Sequence, residues 1–163
     1  MKKRWLNLGC GFKKKESNDE EEWINIDVAP EVKPDKVVDV EKRLPFPKNY
    51  FDGIFTQHTL EHIRPCYFRD VLNEMARVTK NNGIWDIELP FFSIPTISNY
   101  DHYMAGGFRT FNTLLVGDKR EYYTRWWRLI DLKKQPSRLY KLFYYLFPFL
   151  KKNIYYKFQL VKK

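Results

Sequence analysis

The apolar run Trp5-Leu6-Asn7-Leu8 stops at Gly9-Cys10-Gly11, and a second run, Trp23-Ile24-Asn25-Ile26, stops at Asp27, eighteen residues beyond Gly9. A short apolar run that ends in glycines reads as a buried strand entering a tight turn. Glycine at such a turn lets backbone approach a ligand closely, because no Cβ stands in the way. A carboxylate at the end of the next strand is placed to accept hydrogen bonds from both hydroxyls of a ribose. The two features together point to a nucleotide-like ligand. Taken alone, the glycines are equally a strand-ending turn and Asp27 a cap.

The rest of the chain repeats the alternation of strand and crossover. Residues 13–22 are polar, with no apolar face, so the spacing predicts a loop or one frayed turn there rather than a core-packed helix. Residues 36–39 read as a third strand after a connection containing Pro30 and Pro34. Leu44-Pro45-Phe46-Pro47 is a rigid loop, since two prolines remove backbone donors and fix φ. A fourth strand spans residues 51–56, and a helix runs over 65–78 with Phe68, Leu72, Met75 and Ala76 on one face. After an Asn81-Asn82-Gly83 turn, Trp85, Ile87 and Leu89 alternate with Asp86 and Glu88 in a fifth strand. Further on, the pattern predicts a short helix over 111–116, a strand over 122–132, a helix over 136–150 with Leu139, Leu142, Phe143 and Leu146 at helical spacing, and a last strand over 154–161. The order implies an α/β, Rossmann-like fold: a mostly parallel sheet with helices on both faces, which binds ligands at the carboxyl ends of its strands. A chain of 163 residues fits a single domain, residues 1–163, with 1–90 as the cofactor part and 91–163 as the acceptor-binding, sheet-completing part.

Four successive segments carry a more specific likeness. They are Asn7-Leu8-Gly9-Cys10-Gly11; Trp23 to Asp27; Leu44-Pro45-Phe46-Pro47 with Phe51-Asp52-Gly53-Ile54; and His58-Thr59-Leu60-Glu61-His62. In order and spacing over residues 4–90 they resemble class I S-adenosylmethionine-dependent methyltransferases, of the small methyltransferase type 11-like kind. The resemblance implies S-adenosylmethionine as cofactor and an antiparallel terminal strand over 154–161. It also implies roles. Gly9, Cys10 and Gly11, with Asn7, surround the methionine part; Asp27 and the adjoining Val28 hold the ribose side; Asp39 receives the adenine amino group beside the Val40 backbone; Gln57 and His58 lie by the sulfonium. The chain departs from the family pattern where Asn7 replaces an acidic residue and Lys13 a third glycine.

Catalytic candidates follow from the chemistry. A sulfonium methyl is already activated, so the enzyme mainly aligns donor and acceptor and excludes water. A hydroxyl acceptor needs a base, for which His102, His58 and Asp101 are the candidates. His102 follows the fifth strand, where the acceptor pocket of such a fold is usually built, although it reads equally as a surface loop histidine. His58 and His62 are four apart, but Glu61 is at the wrong offset for a zinc-protease motif, so no metal is expected. His62 is read as making a structural hydrogen bond, and Cys10 as a small turn residue.

Charge separates the two parts of the chain. Residues 101–163 hold 14 Lys and Arg against 4 Asp and Glu, with 16 of the 29 aromatic residues, whereas residues 1–100 carry a net charge of −1. Arg125-Trp126-Trp127-Arg128 and Lys151-Lys152 interleave cations and rings, which suits a glycan, a lipid headgroup or nucleic acid; core aromatics beside a Lys-rich surface give the same composition. The expected partner is a methyl acceptor, a small molecule or a lipid-linked or anionic glycan. An anionic membrane surface and nucleic acid are the other binding partners the pattern admits. Two cysteines without CxxC spacing and no secretory leader lead to the expectation of a cytoplasmic protein, peripheral at the membrane. Two rivals stand beside this reading: a nicotinamide-dependent oxidoreductase, whose fingerprint wants glycine where Lys14 stands, and a binding module without catalysis.

Overall fold

The computed structural model describes residues 1–90, 127–131 and 153–162. Its strands are β1 (Lys3–Leu8), β2 (Glu21–Asp27), β3 (Lys36–Val37), β4 (Phe51–Gln57), β5 (Thr79–Pro90), β6 (Trp127–Asp131) and β7 (Asn153–Lys162), and the helix α1 spans Pro65–Val78. They form one seven-stranded sheet in the order β3-β2-β1-β4-β5-β7-β6. The first five strands pair in parallel, and β7 runs antiparallel to both β5 and β6. The chain steps outward from β1 through β2 to β3, then returns to the other side of β1 for β4. That reversal opens a crevice at the carboxyl end of β1, where sheets of this kind take their ligands.

Alternation along the strands sets the core. Leu6, Leu8, Ile26, Ile54, Trp85, Ile87, Phe158 and Leu160 are buried in one cluster with Phe68, Val71, Leu72 and Met75 of α1. Deleting any of the larger ones leaves a cavity worth about 2–5 kcal/mol. α1 begins at Pro65, where a missing N–H costs nothing. At its other end the Thr79 hydroxyl donates to the Met75 carbonyl at 2.7 Å and accepts from the Trp85 indole at 3.0 Å. Arg77 donates to the carbonyls of Phe46 and Leu44 at 2.8 and 2.9 Å, and the Glu74 carboxylate accepts from the Leu44 amide at 2.9 Å. The proline loop is thus strapped to the helix, in the place its composition predicts.

The segment after β1 is a loop, as its polarity predicts, and two paired asparagines hold it. Asn7 and Asn25 face each other in register across β1 and β2. The Asn25 side chain accepts from the Lys15 amide at 2.8 Å and donates to the Lys15 carbonyl at 3.0 Å, copying the two bonds a neighbouring strand would make. Asn7 Nδ2 donates to Asn25 Oδ1 at 2.9 Å and to the Lys13 carbonyl at 3.1 Å. Where a helix would cover the sheet, buried amides satisfy the backbone instead.

Two sequence expectations need adjustment. The expected turn at Asn81-Asn82-Gly83 lies inside β5, where the register with β4 shifts between Phe51↔Thr79 and Gly53↔Ile84 and Asn82 takes φ +63°. The extra residues are absorbed as a bulge, so the strand continues through them. The third strand is Lys36–Val37, shorter than expected. β6 falls within the expected strand over 122–132, and β7 matches the last strand. The helices expected over 111–116 and 136–150 lie outside the described residues, as do Asp101 and His102. Among the described residues, no helix is long and apolar enough to cross a membrane.

Candidate active site

A cavity of about 520 Å³ opens at the carboxyl ends of β1, β2 and β4. One wall is the Gly9-Cys10-Gly11 turn. The amides of Gly9 and Cys10 both donate to the Ile26 carbonyl at 2.9 Å, and Gly9 and Gly11 adopt φ of +70° and +49°. A Cβ on Gly9 would lie 2.2 Å from the Thr59 hydroxyl, so this position needs glycine for space as well as conformation. At Gly11 a Cβ would meet nothing within 4 Å, because that residue faces open space.

Asp27 fixes the turn from β2. Its Oδ2 accepts from the Gly11 amide at 2.8 Å and its Oδ1 from the Ala29 amide at 3.0 Å. Each oxygen keeps a lone pair for another donor, and the carboxylate lies on the cavity wall. This one side chain therefore shapes the turn and can still bind two hydroxyls. Val28 and Phe12 stand beside it, 63% and 85% exposed, offering apolar surface at the cavity mouth. Farther along, Val38, Val40 and Ile63 form an apolar slot edged by Asp39. Asp39 caps its own loop through the Glu41 amide at 3.0 Å and pairs with Lys42 at 3.5 Å.

The opposite wall comes from the end of β4. Gln57 donates to Glu88 Oε2 at 2.6 Å. His58 takes φ +52°, which a residue with a side chain adopts rarely, and its amide donates to the Glu88 carbonyl at 3.0 Å. The Thr59 hydroxyl lies within 3.3 Å of the carbonyls of Leu8, Gly9 and Gln57, clasping this loop to the glycine turn. Burial pushes the Cys10 thiol above its ordinary range, which suits a packed turn residue and not a nucleophile.

Of the residues singled out from sequence, the structure brings Gly9, Cys10, Gly11, Asp27, Val28, Asp39, Val40, Gln57 and His58 to one cavity. Asn7 is not among the cavity-lining residues. It sits in the sheet, 1% exposed, with its amide committed to Asn25 and Lys13. It lies inside β1, immediately before the last strand residue, where its side chain is taken up by Asn25, its partner in register on β2. His62 is exposed on the cavity wall. Phe12, Thr59, Glu41 and Ile63 also line it, and sequence patterning gave them no role. Only the pairing of the β4 loop with the glycine turn, distant in sequence, reveals Thr59.

The cavity fits an adenosine-bearing ligand: hydroxyl acceptors at Asp27, a flat apolar slot at Val38 and Val40, and an open backbone cradle at Gly11. Comparison with known proteins agrees. A family model described as a methyltransferase domain matches residues 6–85. No curated protein sequence matches the chain. Among solved structures, a SAM dependent methyltransferase from Archaeoglobus fulgidus superposes with a TM-score of 0.65 at 18% identity, covering 97% of this chain and 86% of that one. A putative methyltransferase of Haloferax volcanii, in complex with the Trm112 methyltransferase activator, gives 0.63 at 11% identity over 96% and 82%. The [4+2]-cyclase SpnF gives 0.63 at 14% over 97% and 74%, so the fold by itself does not dictate the reaction. The methyltransferase-domain model covers the cavity-forming strands, and with this sheet order the chain has a methyltransferase fold similar to that of the SAM dependent enzyme it superposes on.

Proposed function

We propose that S-adenosylmethionine binds in this cavity and that its methyl group passes to a sugar hydroxyl of an anionic or lipid-linked glycan. The observation that carries the cofactor reading is the Asp27 carboxylate, on the cavity wall and bonded to the Gly11 amide at 2.8 Å. Asp27 takes the ribose hydroxyls, with Val28 against the sugar. Asp39 receives the adenine amino group, and Val40 packs on the ring beside its backbone contact. Gly9, Cys10 and Gly11 surround the methionine part, and Gln57 and His58 flank the reacting end. The bound cofactor supplies an electrophilic methyl; the chain supplies alignment and a water-poor wall.

The acceptor reading rests on charge. Residues 101–163 carry a net +10 and more than half of the aromatic residues, a composition suited to sugar rings and acidic groups. It places the enzyme in the cytoplasm against an anionic membrane, and His102 and Asp101 remain candidates on the acceptor side. Isothermal titration with S-adenosylhomocysteine and with NADH tests the cofactor: binding of NADH alone would return the chain to the oxidoreductases. Transfer from methyl-labelled donor into fractionated cell extract tests the acceptor. Label in the glycolipid or polysaccharide fraction is expected, label in nucleic acid would replace the glycan, and cofactor binding with no turnover over all fractions would leave a binding module. Sedimentation with phosphatidylglycerol vesicles at low salt, reversed at high salt, is expected of the membrane reading, and protein left in the supernatant at low salt discards it.

A further inference from the structure

The wall at the end of β4 differs from the rest of the cavity because a histidine stands there between two buried carboxylates. His58 Nδ1 lies 3.3 Å from Glu61 Oε1, and Nε2 lies 3.8 Å from Glu88 Oε1. The first separation is a hydrogen bond and the second is too long for one. The Glu61 side chain is 1% exposed, and its other oxygen is buried without a hydrogen-bond partner. Glu88 is also buried, with Oε2 held by Gln57. His58 itself is 36% exposed and lines the cavity. Its left-handed backbone aims the ring at this position, and such conformations persist where the surroundings over-determine them.

We infer that His58 Nε2 is the base that takes the acceptor's proton, and that Glu61 is a positioning residue that keeps the other ring hydrogen on Nδ1. The inference rests on the methyl-transfer reading of the cavity and deepens it. An acceptor that needs a base is one that must lose a proton as it is methylated, and for the sugar acceptor proposed above that group is a hydroxyl. The acceptor's O–H proton moves to Nε2 as the oxygen–carbon bond forms. The carbon–sulfur bond breaks and its electron pair stays on sulfur, which becomes neutral. The imidazolium so formed faces the carboxylates of Glu61 and Glu88, and its exposed edge returns the proton to solvent.

Burial, with the nearby charge of Glu88, pushes the Glu61 carboxyl up to about 7. Glu61 Oε1 and His58 Nδ1 lie at hydrogen-bond distance and form one pair. With the pair protonated, a hydrogen sits on Nε2 and a second is held between Nδ1 and Glu61, so no base is available. With the pair deprotonated, Glu61 accepts from Nδ1–H and Nε2 is bare. Among the described residues, the facing charges are Glu61, from the turn after β4, and Glu88, from β5. The other titratable groups on the cavity wall are Cys10, Lys13, Asp27, Asp39, Glu41 and His62.

The test is nitrogen NMR on protein labelled with 15N-histidine, whose 3 histidines are few enough to resolve, with His58 assigned by its loss in H58Q. In the wild type without ligand, Nε2 of His58 is expected to be without its hydrogen at high pH, while Nδ1 keeps its own against Glu61. In E61Q the fixed preference is expected to vanish, with Nε2–H recovered in a large share of molecules at pH above 8. A wild-type ring that keeps Nε2–H at high pH overturns the inference, and so does an E61Q ring whose Nε2 stays bare. The wild-type titration decides even if E61Q does not fold. Label from the donor recovered as an N-methyl product overturns the hydroxyl assignment. Failure of S-adenosylhomocysteine to bind would sink the cofactor reading while leaving the histidine titration readable, so the two failures are distinguishable.

Discussion

Asp27, on the cavity wall at the end of β2, and Glu61, buried in the turn after β4 beside the cavity-lining His58, are carboxylates held in opposite ways. Asp27 has a backbone amide on each oxygen and lies open to the cavity. Glu61 is almost wholly buried, with one histidine contact and one oxygen left bare. Amides that converge on a carboxylate fix its position, which suits the proposed ribose contact. Burial with few partners favours the neutral form and leaves the proton mobile near neutrality, as acid–base work requires. Two strand ends on either side of β1 thus supply a rigid grip and a proton-exchanging pair.

The comparison can be broken in four places. The largest effect is expected from Asp27→Ala, which removes the partner of two amides and, with it, the proposed ribose contact. Loss of charge-assisted bonds of this kind is worth about 3 kcal/mol, or roughly a hundredfold in affinity, read by calorimetry with S-adenosylhomocysteine. An affinity within threefold of wild type would show that the grip lies elsewhere.

Gly9→Ala comes next. Its methyl group would collide with Thr59 and force a residue with a side chain to φ +70°, so a destabilisation of about 2–3 kcal/mol in urea unfolding is expected. Gly11→Ala, which meets no neighbour, should cost clearly less; equal costs would mean that conformation alone matters at both sites.

Glu61→Gln should change the dependence of stability on pH. The folded-state value of Glu61, about 7, is raised above that of an ordinary carboxyl in water, so between these two the folded protein binds more protons than the unfolded chain. Its contribution is complete below the unfolded value and is lost as pH rises through about 7, a decline of about 2 kcal/mol that Gln should flatten. Unfolding curves at pH 5 and 8 with equal slopes in both proteins would remove Glu61 from the account.

The smallest effect belongs to Phe12→Ala. Phe12 is exposed at the cavity mouth, so its loss should leave stability unchanged and weaken S-adenosylhomocysteine by a few-fold, about 1 kcal/mol. No change in affinity would show that the ring does not cover the ligand.

The grip was readable before any coordinates because it is local. Glycines at a strand end and an acidic residue at the next one impose their consequences within a few residues. The helix over 65–78 was equally plain from its apolar spacing. The proton-exchanging pair was only half readable: His58 and Glu61 stand in one short motif, but nothing local tells that Glu61 is buried or that Glu88 of β5 lies behind it. The role of Asn7 was obscured for the same reason, because its partner Asn25 belongs to another strand and the loop it holds has no pattern of its own.

What the sequence by itself determined is the alternation of strand and crossover, the glycine turn and the acidic strand ends, which follow from period, chain stiffness and spacing, and whose motifs carry the methyltransferase likeness. Tertiary structure alone decided which side of β1 receives β4, that Thr59 clasps the glycine turn, and that the Glu61 carboxyl is taken out of water beside Glu88. The physical reason is desolvation: the proton affinity of a carboxyl depends on what surrounds it in space, and those neighbours come from strands far apart in the chain.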